Sequence, residues 1–138
     1  LANIAAAKVH SIQQLCPTLD FLGINVYGND AFNMGGRLRQ MGWKKAYAMT
    51  EYGVPGPWMV PKTPWGAVLE PMTSTCKQTF FKQGYDWCNQ DQMCVGSFAF
   101  FWGWKWEKTG TWFGGWNEWA PAGGSYGHGY QNDIFFDL

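Results

Sequence analysis

The 138-residue chain carries ten basic and ten acidic side chains, for a formal net charge of zero. It has no Lys/Arg run of the kind that neutralising phosphates requires, so nucleic acid is not an expected partner. Charged residues make up only 14% and aromatics 19%, with ten Trp, which points either to a thick core or to a cleft where the flat C–H faces of sugar rings stack on indoles. No stretch is long and apolar enough to span a bilayer, and no signal-peptide pattern opens the chain. With no initiating Met, the start reads as the interior of a longer chain.

Residues 3–16 place Ile4, Ala5, Val9, Ile12, Leu15 and Cys16 near one helical face, with Asn3 as N-cap and Pro17 as the stop. The run DFLGINVYGND at 20–30 alternates Phe21, Gly23, Asn25 and Tyr27 with Leu22, Ile24 and Val26. This predicts a strand with one apolar face and one that turns polar towards its C-terminal end. Residues 31–42 predict a weak helix on Phe32, Leu38 and Met41, each of Gly35 and Gly36 costing roughly 1 kcal/mol. KKAYAMTEYG at 44–53 predicts a second strand, with Ala46, Ala48 and Thr50 on one face and Tyr47, Met49 and Glu51 on the other.

A Pro/Gly/Trp-rich loop follows from Tyr52 to about Met72, long enough to suggest function. Thr73 or Ser74 can cap a helix to about Gln90, with a predicted buried stripe of Cys76, Phe80, Phe81, Gly84, Trp87 and Cys88. CVGSFAFFW at 94–102 is a near-continuous apolar run, as in a strand covered on both faces. Beyond it lie a Gly/Trp-rich loop and an irregular tail over 117–138. Cys16, Cys76, Cys88 and Cys94 lack zinc-site spacing; Cys88 and Cys94 suit either a short disulfide loop or buried free thiols. His10 and His128 have no nucleophile partner in an elbow motif, and neither a P-loop nor a dinucleotide fingerprint occurs, so no cofactor is expected.

Strands alternating with helices predict an α/β fold with a parallel sheet, in which function gathers at the C-terminal ends of the strands. Those ends hold Asn25 and Tyr27, Glu51, and Trp102. TEYG at 50–53, DFLGINVYG at 20–28 and GSFAFFWGWKWEKTGTWFG at 96–114 together resemble the seventh, sixth and eighth strands of clan A (β/α)8-barrel glycoside hydrolases. The stretch PGPWMVPKTPWGAVLEPMTST is similar to family 2-like TIM-barrel members. The resemblance covers about residues 1–116 and implies a partial TIM barrel, its C-terminal half with three parallel strands and flanking helices.

It further implies a retaining β-glycosidase or glucanase acting on an oligo- or polysaccharide, with Glu51 as nucleophile. Tyr27 would donate a hydrogen bond to it, and Trp102 would floor the sugar subsite, often after a cis peptide, here Phe101–Trp102. Trp58, Trp65, Trp104, Trp106 and Trp112 are candidate sugar platforms, with loop packing as the alternative. Asn25, Lys105 and Glu107 are candidate partners of sugar hydroxyls, the two charged residues equally well explained as solvated. The acid/base carboxyl of this clan follows an Asn at the end of the fourth strand, which belongs to an N-terminal half-barrel this chain lacks. Asn117-Glu118 has the dipeptide but no apolar strand before it. Three strands cannot close a barrel, which leaves Phe98, Phe100, Met49 and Tyr47 without an opposite wall and predicts association when the chain is made alone. A non-catalytic carbohydrate-binding module and an inactive truncated relic are the competing readings. A secreted location suits a polysaccharide hydrolase, although the sequence holds no address.

Overall fold

A computed structural model of the protein describes residues 6–69, 72–101 and 110–113. Helix α1 (Ala6–Leu15) leads into strand β1 (Phe21–Tyr27), a 3-10 turn at Gly28–Ala31 and helix α2 (Met34–Gln40). Strand β2 (Ala46–Gly53), helix α3 (Ser74–Gln90), strand β3 (Cys94–Ala99) and a single turn, α4 (Gly110–Phe113), complete the described chain. The strands form one parallel sheet in the order β1-β2-β3, so the α/β class with flanking helices holds.

Register decides which side chains share a face. Ile24 pairs with Met49, but Asn25 then pairs with Glu51, so Thr50 is an extra residue in β2. Such a bulge reverses the alternation of everything beyond it. Glu51 therefore lies on the face of Asn25 and Tyr27, not with Tyr47 and Met49 as strict alternation predicts. On the opposite face Ile24, Val26, Tyr47, Met49 and Tyr52 are all buried. The Tyr52 hydroxyl donates to the Phe81 carbonyl of α3 at 2.9 Å, and Gly84 lets the helix approach so closely that a Cβ there would stand 2.5 Å from the Tyr52 ring. The helix layer thus supplies Tyr47 and Met49 with the wall expected to be missing. The other face is open: Phe98 is 62% and Phe21 48% exposed. β3 is correspondingly bare, not covered on both sides, because it is an edge strand of this sheet.

Local chemistry explains the helix ends. Thr73 caps α3, its hydroxyl accepting from the Cys76 N–H at 3.2 Å. In the predicted stripe of α3, Cys76 and Trp87 are exposed, whereas Lys77 is buried. Its stem lies in the core and its ammonium donates to the Trp112 carbonyl at 2.9 Å. In α1 the buried stripe ends early: Val9 is buried and Ile12 partly so, but Leu15 and Cys16 are exposed. Asn33 enters α2 in the left-handed region at φ 58°, so the helix starts later than the periodicity predicts. Cys88 and Cys94 form a disulfide joining the end of α3 to β3.

Two buried phenols fasten β2 to this layer. Burial, followed by the nearby Asp91 charge, pushes Tyr47 up to about 12; burial likewise pushes Tyr52 up to about 12. A phenol that holds its proton more tightly when folded stabilises the fold fully below its ordinary value of 10.0, and that contribution is lost as pH rises towards 12. Denaturant midpoints should therefore fall between about pH 10 and 12, and the Tyr47→Phe, Tyr52→Phe double variant should show a flatter fall. An equally steep fall in the double variant would remove these phenols as the cause.

Candidate active site

The site is built at the C-terminal ends of β1 and β2. The Tyr27 hydroxyl donates to Glu51 Oε2 at 2.7 Å, a distance typical of a charge-assisted O–H to carboxylate bond. Glu51 is half-buried and Tyr27 buried, so the carboxylate keeps access to the open face while its partner is fixed by packing. Thr50, the bulge residue, donates to Asn25 Oδ1 at 2.8 Å, which locks the register shift that turns Glu51 into place.

Aromatic rings hold Tyr27 from several sides. Trp58 meets it edge-on, centroids 5.4 Å apart. Phe113 lies 5.1 Å and Phe100 6.0 Å away, separations at which edge and tilted pairs are favourable. Trp112 donates from its indole to the Pro55 carbonyl at 2.9 Å, tying α4 to the loop after β2. That loop folds into a small hairpin around the Lys62–Val68 bridge. Trp65 stands at its turn, 80% exposed, and among the described residues it makes none of the ring contacts that join Trp58 to Tyr27. Gly53 sits at the centre: a Cβ there would be 3.2 Å from the Phe100 carbonyl and 3.3 Å from the Tyr27 ring.

The arrangement gathers Tyr27, Glu51 and Trp58, with Asn25 one step below. Trp112 is a packing residue by its carbonyl and indole bonds. Trp102, Trp104, Lys105, Trp106, Glu107 and Asn117-Glu118 lie outside the described residues. A non-proline cis peptide joins Phe100 to Phe101, one bond before Phe101–Trp102, where the resemblance implies it. Sequence reasoning missed Phe113 and Phe100 as ring partners of Tyr27; both sit in aromatic runs without a period that could single them out.

The other described carboxylates are Asp20, Asp30, Asp86 and Asp91. Asp20 precedes the start of β1, and the rest pair with Arg37, Lys82 and Arg39 respectively. Among the described residues no group of three or more His, Cys, Asp or Glu is placed to hold a metal ion, and no helix is long and apolar enough to cross a membrane. Chemically, the arrangement presents a carboxylate on an open sheet face, hydrogen-bonded by a phenol whose ring packs against an indole. A scan of family models and a search of curated proteins gave no match to the chain.

Proposed function

We propose that this chain supplies the sixth to eighth strands of a (β/α)8-barrel glycoside hydrolase that cleaves O-glycosyl bonds of an oligo- or polysaccharide with retention. The reading is carried by the 2.7 Å bond from Tyr27 to Glu51 at the C-terminal ends of neighbouring parallel strands. That is the end where barrel enzymes assemble their chemistry. The open face bearing Asn25, Tyr27, Glu51 and Phe98 is the one that barrel closure would enclose.

In this mechanism Glu51 attacks the anomeric carbon as the bond to the leaving oxygen breaks, and a second carboxyl group protonates that oxygen. The same group then takes a proton from water, which hydrolyses the glycosyl ester of Glu51. The Tyr27 hydroxyl, donating to Glu51 Oε2 at 2.7 Å, holds the nucleophile aimed. Trp58 offers an apolar edge for the sugar. The acid/base, about 5–5.5 Å from Glu51 in a retaining enzyme, is assigned to the strands that complete the barrel; among the described residues Asp30, Asp86 and Asp91 are paired elsewhere and Asp20 lies before the start of β1. The helices α1 and α3 disfavour a β-sandwich binding module.

The test supplies the remaining strands, in one chain or by co-expression, and treats the assembly with a 2-deoxy-2-fluoroglycoside bearing a good leaving group. The expected product is a glycosyl ester on the peptide containing Glu51. Tyr27→Phe should slow its formation about 10- to 100-fold, the worth of one hydrogen bond to a charged group. Labelling at another carboxylate would end the assignment.

A further inference from the structure

At the N-terminal ends of β2 and β3, away from Glu51, an open groove of about 480 Å3 is lined by α2, the end of α3 and the turn joining α3 to β3. Its size lies within the roughly 300–1,000 Å3 typical of small-molecule sites. Trp87, projecting from α3 and 45% exposed, forms one wall. Asn33, Gln90 and Gln92, all exposed, line the groove around it.

The charge balance restricts what can bind. The one cation among the lining residues, Arg39, is already paired with the one carboxylate, Asp91, at 3.0 Å. A phosphate would find no spare cation and a metal ion no spare carboxylate. A purely apolar ligand would leave three primary amides stripped of water without partners, which is costly. A neutral ring with one apolar face and a rim of hydroxyls satisfies both demands: the face covers the indole, and neighbouring hydroxyls exchange hydrogen bonds with amides that both donate and accept.

We propose that this groove binds a neutral glycan, with one sugar ring stacked on Trp87 and its hydroxyls held by Asn33, Gln90 and Gln92. The site shares no residue with the Tyr27–Glu51 pair and does not rest on the hydrolase reading. All of its lining comes from α2 and its N-cap Asn33, β2, α3 and the turn before β3.

The test is a titration of the 15N-labelled full chain with cellotetraose, laminaritetraose and maltotetraose, followed by NMR through indole and side-chain amide signals. At least one probe should shift the Trp87 indole and the Gln90 and Gln92 amides saturably. Trp87→Ala, with an unchanged circular dichroism spectrum, should weaken that probe at least tenfold, and Trp87→Phe should retain most of the affinity. A Trp87 signal unmoved by all three probes, or affinity unchanged in Trp87→Ala, overturns the groove. Shifts confined to Trp58 and Trp65 would also overturn it while leaving the hydrolase reading intact. Saturable shifts at Trp87, Gln90 and Gln92 sustain it whatever becomes of Glu51.

Discussion

Replacing Glu51 by Ala should lower glycoside turnover by the completed barrel on the order of 10⁴-fold or more, because covalent catalysis loses its nucleophile. The fold should survive, since the side chain is half-buried on the open face and contributes little to the packing of the helix layer. Added azide should restore turnover. The small anion occupies the space left by the carboxylate and attacks the anomeric carbon, while the acid carboxyl still protonates the leaving oxygen. From a β-glycoside the product would be the α-glycosyl azide, identifiable by its anomeric coupling constant. Hydrolysis continuing at the parent rate would remove Glu51 from the mechanism. A β-configured azide product would mean that the carboxylate acts from the other side of the sugar, as an acid/base.

The second large effect concerns stability. Gly35→Ala should destabilise the protein by about 2–4 kcal/mol, the range expected when hydrogen bonds to a charged group are broken. It should do so although Ala favours a helix over Gly by roughly 1 kcal/mol. Gly35 is buried in α2, and a Cβ there would collide with the Asp91 carboxylate and stand 3.0 Å from the Tyr47 hydroxyl. That carboxylate cannot yield freely. It accepts from Arg39 at 3.0 and 3.1 Å, from the Met93 N–H at 3.0 Å and from the Tyr47 hydroxyl at 3.3 Å. Burial works against its charge, but the Met93 N–H, Arg39 and Tyr47 prevail and hold the Asp91 carboxyl below its ordinary range. In an Asp91→Ala background most of the clash disappears, so the two substitutions should be strongly non-additive in denaturant melts. Simple additivity would show that Gly35 is needed for another reason.

Much of this architecture can be read from residue patterns. The alternation in FLGINVY predicts both faces of β1, and Thr73 announces the start of α3 through a capping bond that requires only a hydroxyl before a helical run. TEYG places a carboxylate at a strand end, and Tyr27 is its partner because parallel pairing sets Glu51 opposite Asn25, two residues before Tyr27 on the same face. The face of Glu51 is another matter. Whether a strand takes an extra residue depends on what its neighbour offers, here the Asn25 amide to the Thr50 hydroxyl, and hydrophobic alternation has no term for that. Lys77 escapes for a related reason. Periodicity counts lysine as polar, yet four methylenes and one well-placed carbonyl on α4 make it a core residue. β3 misleads in the opposite direction, since an apolar run records the surroundings a strand is suited to, and at a sheet edge those surroundings are not supplied by the sheet itself.

Because β2 gains one residue on its way past β1, the reactive end of the strand depends on odd-even parity. Losing a single codon at Thr50 would restore strict alternation and still leave the acid opposite Asn25 on the open side. One residue gained in β1 between Ile24 and Asn25, by contrast, would pair Thr50 and turn the acid towards the helices and Tyr52 towards the opening. A lineage could thus silence this sheet's chemistry, or recover it, by one residue gained or lost in β1, a change in length too small to alter its architecture.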